Sequence, residues 1–282
     1  MNEGNHTPID LLHQGLEHVI GCYVVMTEDG PALHDCGPAK TFARLREQVD
    51  LGEIRHLLLS HIHLDHAGAA GHVVRENPEI QVHVHEIGAP HVVDPERLVR
   101  SARRLYGDDL DVLFGEPLPV PAENVHVVGE HVLGLGCFPT PGHASHHVSY
   151  MHEDGTLYAG DAAGVRILPE DDVIPHAPPP EIDLEAWERS FEEILRHQPT
   201  RLALIHFGVL SGTEETADHI HHARDRLREW AGRVHGGMGQ EEFVDAAIAE
   251  LEGDYEPLHR LADPFDHSWM GLRRYWQTRE AA

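Results

Sequence analysis

The run Ser60-His61-Ile62-His63-Leu64-Asp65-His66 constrains this chain more than any other stretch. It places four metal-ligand side chains within six residues, directly behind the apolar run Leu57-Leu58-Leu59. An apolar run of that length predicts a strand buried on both faces, Arg55 to Ser60, and a loop leaving such a strand can aim its side chains at one point. Alternation puts His61 and His63 on one side, where two imidazoles can share a cation. The turn into the following helix can swing Asp65 and His66 towards a second. A solvated histidine-rich turn is the competing explanation. Three further ligand types at predicted strand ends argue against it: His143 in Thr140-Pro141-Gly142-His143, Asp161 in Ala159-Gly160-Asp161, and His206 in Leu204-Ile205-His206-Phe207-Gly208.

Around these points the pattern alternates between strand and helix. Strands are predicted at His18 to Met26 and Ala32 to His34, joined at Asp29-Gly30, then at Ile80 to Val84, Val125 to Val128, His131 to Phe138, His147 to Met151, Thr156 to Ala159 and Arg201 to Ile205. Helices are predicted at Ala39 to Val49, before Pro78, at Pro95 to Tyr106 with Leu98, Ala102 and Leu105 on one face, and at Leu184 to His197 with Trp187, Phe191, Ile194 and Leu195. Pro175 to Pro180 is too proline-rich for regular pairing. Helices at Glu214 to Val234, Glu241 to Leu251 and Trp269 to Arg279 close the chain. Two groups of strands with helices between and after them predict an α/β fold, two sheets sandwiched by helices.

Composition removes several classes of function. With 21 Lys plus Arg against 48 Asp plus Glu, the formal charge is −27, which argues against a nucleic-acid partner. Lys40 is the only lysine; adaptation to high salt and an arginine-preferring genome explain that equally well. Cys22, Cys36 and Cys137 are odd in number and widely spaced, so neither a disulfide framework nor a thiolate zinc site is expected. Met1 to Asp10 lacks the basic and apolar regions of a signal peptide, and no run of about 18 apolar residues occurs. A cytoplasmic protein that does not span a membrane is the expectation.

The order HxHxDH (His61, His63, Asp65, His66), PGH (His143), GD (Asp161) and a late histidine after a strand (His206) resembles the metallo-β-lactamase superfamily, in the dinuclear version of glyoxalase II-like thioesterases and quorum-quenching lactonases. The resemblance runs from about Cys22 to Gly208, and Asp35-Cys36-Gly37 resembles the family's early Asp-x-Gly turn. It implies an αββα sandwich, with residues 1–210 as the catalytic domain and 211–282 as a C-terminal helical extension packed on it. It also implies that His61, His63 and His143 hold one divalent metal, that Asp65, His66 and His206 hold the other, and that Asp161 bridges them. Zinc is the first choice, and iron or manganese also suit the donors. The reaction implied is hydrolysis of a small ester, thioester, lactone or related substrate by a hydroxide shared between the metals, with Asp65 also orienting or receiving the water's proton.

Family members that reduce oxygen at a di-iron centre carry Glu where this chain has His63. The nucleic-acid-processing members add large insertions or basic arms. Glyoxalase II itself binds glutathione through C-terminal lysines, and this chain has none there. The alternative is a mononuclear iron persulfide dioxygenase of the same fold, using the equivalents of His61, His143 and Asp161. Asp35, His147 and Arg166 are candidates for supporting the ligands or binding substrate. His146, Tyr106, Arg273, Arg274 and Arg279 have weaker claims, and His83, His85 and His91 are expected to be solvated. The proline-rich loop and C-terminal helices are expected either to wall the pocket over a small-molecule substrate or to cap the second sheet or form a homodimer contact.

Overall fold

The first half of the chain builds a six-stranded sheet in sequence order: β1 (Ile9–Asp10), β2 (Gly21–Thr27), β3 (Gly30–His34), β4 (His56–Leu58), β5 (Gln81–Val84) and β6 (Val125–Val127). The pairs β1/β2 and β2/β3 are antiparallel, whereas β3 to β6 run parallel. Parallel neighbours need long crossovers. These carry α1 (Phe42–Gln48), then α2 (Leu64–Ala67) and α3 (Ala70–Glu76), then α4 (Ala89–Val93), α5 (Glu96–Tyr106) and α6 (Leu110–Leu113).

The second half contributes β7 (His131–Val132), β8 (Leu135–Pro139), β9 (Val148–Met151), β10 (Thr156–Tyr158), a separate pair β11 (Val165–Ile167) and β12 (Asp172–Ile174), then β13 (Arg201–Leu204) and β14 (Gly208–Ser211). Its main sheet runs β14-β13-β10-β9-β8-β7. The helices are α7 (Leu184–His197), α8 (Thr213–His235), α9 (Gln240–Ala249) and α10 (Phe265–Glu280). The computed structural model describes residues 6–167, 172–251 and 264–281; the first five residues of the Met1 to Asp10 stretch lie outside them.

Strand alternation sorts the core into layers. Along β13, Ala203 and the following Ile205 face inward with Tyr23 and Leu58 of the first sheet and Tyr150 and Tyr158 of the second. Leu202 and Leu204 face the other way, into a cluster with Trp187, Phe191, Trp230, Phe243 and Leu272 of the later helices. Leu45, Val73 and Val74 from α1 and α3 cover the outside of the first sheet. The result is the predicted αββα sandwich, and the helices beyond residue 211 share one apolar core with the second sheet. Among the described residues, no helix is long and apolar enough to cross a membrane.

Several boundaries depart from expectation. His131 to Phe138 is a hairpin, β7 and β8, because Leu133 (φ 55°) and Gly134 (φ 83°) form a two-residue turn of the kind whose twist suits antiparallel strands. Strands β11, β12 and β14 were not predicted; each is short. Ala39 to Thr41 is a 3-10 turn, and the α-helix begins at Phe42. On α5, Tyr106 joins Leu98 and Ala102 against Leu64, Leu110 and Phe114, in the place expected for Leu105. The helix Leu184–His197 has the predicted bounds, since Asp183 accepts from the Ala186 N–H at its start and Gln198 turns left-handed (φ 49°) at its end.

Candidate metal centre

Strand ends from both sheets deliver the seven residues that the sequence singled out. His61 follows β4, and His63, Asp65 and His66 lie at the start of α2. His143 lies in the β8–β9 loop, Asp161 follows β10, and His206 sits between β13 and β14. They assemble as two groups, His61/His63/His143 and Asp65/His66/Asp161/His206, with ligand atoms in each group within 4.8 Å of one another.

In the first group, His63 Nδ1 stands 3.0 Å from His61 Nε2 and 2.9 Å from His143 Nε2. Nitrogens around one tetrahedral zinc are separated by roughly 3.3 Å, from bond lengths of about 2.0–2.1 Å. Burial, and then the neighbouring imidazoles, hold His61 and His63 well below the usual histidine range, and burial pushes His143 down to about 4. All three rings are therefore neutral near pH 7, with lone pairs converging.

Asp161 spans the groups. Its Oδ2 lies 3.5 Å from His143 Nε2 and 4.0 Å from His61 Nε2, while Oδ1 lies 3.1 Å from His66 Nε2 and 3.7 Å from His206 Nε2. The carboxylate is 1% exposed, yet neither oxygen makes a well-aligned hydrogen bond, and His66 Nε2 likewise has none. A buried carboxylate without an aligned hydrogen bond, set among converging ring nitrogens, is costly alone. Two divalent cations would resolve it, and imidazole plus carboxylate suits zinc, iron or manganese.

His61, His66, His143 and His206 each have the far ring nitrogen occupied. His143 Nδ1–H donates to the His176 carbonyl (2.8 Å) and His206 Nδ1–H to the Val19 carbonyl (2.7 Å), so each leaves Nε2 with its lone pair inward. His61 Nδ1 meets Ser60 Oγ at 3.0 Å. Asp35, in a left-handed conformation (φ 54°), accepts from the Ser60 N–H (2.8 Å), the Ser60 hydroxyl (2.7 Å) and His66 Nδ1–H (2.8 Å). Burial opposes charge on His66, but Asp161, Asp65 and Asp35 together raise it well above the usual range. Asp65 is also opposed by burial, yet His66 and His206 hold it well below the carboxylate range.

His147 supports Asp161 through the backbone: its Nε2 accepts the Asp161 N–H (3.1 Å), and its Nδ1 bonds Thr140 Oγ1 (2.8 Å). His146 stacks on His61 at 6.1 Å and meets His63 edge-on at 5.8 Å.

Arg166 touches the centre through its backbone, whose N–H donates to the His206 carbonyl. Its side chain lines a cleft with Gly212, Asp218 and His222. Tyr106 rings contact Phe114 and His267 at 4.9 and 5.0 Å. Arg274 donates to the Pro180 carbonyl, and Arg279 pairs with Glu185 and covers the Tyr275 ring, so both have structural partners. His83 bonds His56 on the face of the first sheet that also carries His34, and burial pushes it down to about 4, so it is not merely solvated. His85 and His91 lie close enough to influence His146. Ser60 and the carbonyls of Val19 and His176 were not foreseen; only Ser60, beside the histidine run, carried a sequence signal.

Of the ligand-type residues only His63 and Asp65 are partly exposed, with 18% of the Asp65 side chain reaching solvent, so the centre opens there. The family model described as Metallo-beta-lactamase superfamily matches residues 18–206, which run from the edge of β2 to the last of these residues. The chain belongs to that superfamily. Among curated proteins it is 26% identical over 198 residues to the metallo-beta-lactamase fold-containing protein ST1585 of Sulfurisphaera tokodaii, covering 67% of this chain and 73% of that one. It is 27% identical over 154 residues to the uncharacterized protein YobT of Bacillus subtilis, covering 52% and 63%. The crystal structure of the archaeal ST1585 aligns over 91% of this superfamily member and 93% of that chain, with a TM-score of 0.68 and 22% identity. TTHA1429 of Thermus thermophilus aligns over 93% and 89%, at 0.61 and 19%. TTHA1623, in a di-iron-bound form, aligns over 70% and 91%, at 0.50 and 23%. These structures share the fold.

Proposed function

We propose that this chain is a dinuclear metal-dependent hydrolase acting on a small ester, thioester, lactone or related substrate. Asp161 carries the proposal: one buried carboxylate turns each oxygen to a different ligand cluster. His61, His63 and His143 would hold one ion and Asp65, His66 and His206 the other, with Asp161 offsetting their mutual repulsion. When bound, divalent ions supply Lewis-acid polarisation of the substrate oxygen and a water acidified towards neutrality. Zinc is the first choice; the di-iron form of TTHA1623 keeps iron as the alternative.

The chain's own groups do the rest. Asp65, held ionised at the opening, lies 3.3 Å from His206 Nε2 and 3.5 Å from His66 Nε2, positioned to orient a water and receive its proton. Asp35 and the carbonyls of Val19 and His176 fix the rings. No cysteine nucleophile is invoked, which agrees with thiols that burial pushes up, Cys137 to about 12. The substrate is a small molecule and not a nucleic acid, given the −27 charge; the setting is the cytoplasm, and the catalytic unit is 1–210 with 211–282 as its extension. A dioxygenase would need only His61, His143 and Asp161, leaving Asp65, His66 and His206 without a purpose.

The test is metal analysis of the purified protein beside ester, thioester, lactone, phosphodiester and β-lactam substrates. Two ions per chain with hydrolysis of an ester, thioester or lactone is the expected result. One iron per chain with oxygen uptake would replace the reading.

A further inference from the structure

A segment not yet given a role borders the Asp65–His206 half of the centre. Residues 10–20 leave β1 and return to β2 as a closed loop. Asp10 accepts the N–H of Leu12 (3.0 Å) and of His18 (2.8 Å), and the Leu11 N–H donates to the Ile20 carbonyl (3.0 Å). One end is tied to His206 through the Val19 carbonyl, and the tip is tied to α6, where Gln14 Nε2 donates to the Val112 carbonyl at 3.0 Å. Leu12, Gln14 and His18 adopt φ values of 49°, 54° and 63°, a region that side chains other than glycine avoid. Such strain persists only where surrounding contacts over-determine it, and it clusters at binding sites.

What this loop holds in place is His13. Its side chain is 1% exposed, and neither ring nitrogen has a hydrogen-bond partner, although buried polar groups are nearly always paired. The ring lies 6.1 Å from Phe114, and the charged groups that influence it are Asp65 and His206. Beside it, Leu64, Leu110 and Phe114 form an apolar cluster that begins between the ligand residues His63 and Asp65. Both ring nitrogens therefore lack a protein partner beside Asp65, the carboxylate at the opening, and a group entering there can supply one. Burial keeps the ring neutral, so it offers one N–H donor that a carbonyl, alkoxy or product carboxylate oxygen can accept.

We propose that His13 is a substrate-binding residue, whose ring N–H donates to an oxygen of an uncharged ester or lactone while the apolar acyl group lies along Leu64, Leu110 and Phe114. The inference rests on the hydrolase reading. It is tested on zinc-loaded wild type, His13→Phe and His13→Gln, by hydrolysis of p-nitrophenyl hexanoate and acetate, and by calorimetric binding of hexanoate, a product of the first ester. Removing one buried hydrogen bond to the ligand should raise KM for the hexanoyl ester and Kd for hexanoate about tenfold in His13→Phe, with a smaller change in kcat. His13→Gln, which keeps a donor, should recover part of the loss, zinc content should be unchanged, and wild type should prefer hexanoate over acetate esters. An unchanged KM and Kd in His13→Phe, or zinc lost from both variants, overturns the proposal, as does a wild type that binds no hexanoate. If no ester is hydrolysed but hexanoate still binds and His13→Phe weakens it, the hydrolase reading falls and the role of His13 stands.

Discussion

Asp35 shows how much of this centre depends on a residue that touches no cation. Its two oxygens take three hydrogen bonds, from the Ser60 N–H, the Ser60 hydroxyl and His66 Nδ1–H, all at 0% exposure. An asparagine in its place has one acceptor oxygen and turns an NH2 towards groups that are themselves donors. Asp35→Asn should therefore cost about 2 kcal/mol in stability, in the range for a hydrogen bond to a charged group. It should also weaken metal binding roughly 10- to 100-fold, as loss of a ligand's orienting partner does. Denaturant midpoints and a chelator-competition titration measure the two effects. A variant that binds metal as tightly as wild type would show that Asp35 does not orient His66.

The elements that close the site are held together by backbone contacts. Helix α10 presents Gly271 to the proline-rich loop, where an added Cβ would sit 1.9 Å from the Ala177 carbonyl oxygen. One turn earlier, Ser268 Oγ accepts the Ala177 N–H at 3.0 Å. The neighbouring His176 carbonyl is the acceptor that fixes His143. Gly271→Ala must push the helix from the loop, so it should destabilise the fold by about 1–3 kcal/mol, as overpacking does. It should also lower metal occupancy, although it lies in none of the ligand segments. Thermal melts and metal content decide; wild-type values in both would mean that α10 does not brace this loop.

These contacts also mark where a sequence stops being informative. The spacing of His61, His63, Asp65 and His66 reports a candidate site because four potential ligands crowd one strand end. A helix such as α7 shows itself through Trp187, Phe191 and Ile194 at helical intervals. Strands β11, β12 and β14 span only 3, 3 and 4 residues, too few for a period to register. The β7–β8 turn was hidden because Leu133 supplies a positive φ without looking like a turn residue. His13 stands alone in a loop, and only folding brings Phe114 and Asp65 to it.

At the scale of the whole molecule, buried neutral histidines make the metal-free protein sensitive to acid. Burial pushes His13, His83, His143 and His146 down to about 4 and holds His34, His61, His63 and His147 below the usual range as well. The unfolded chain takes up these protons as pH falls past about 6.5, while the folded chain refuses them until about 4. Across that window each such histidine subtracts about 1.4 kcal/mol of stability per pH unit. His66 acts oppositely: its folded value is raised, so its contribution is full below 6.5 and is lost as pH rises through that folded value. With the lowered histidines outnumbering the raised one, the chelator-treated protein should unfold at lower urea concentration at pH 5 than at pH 7. Equal or higher midpoints at pH 5 would contradict this balance.

His61 and His206 come from different sheets and are separated by more than half of the chain. A nascent polypeptide that has released only its first sheet displays His61, His63, Asp65 and His66 but neither Asp161 nor His206. The complete ligand set therefore exists only once the two sheets have docked. A cation bound there would act as a rivet between the two halves of the sandwich, set at the edge where both sheets end.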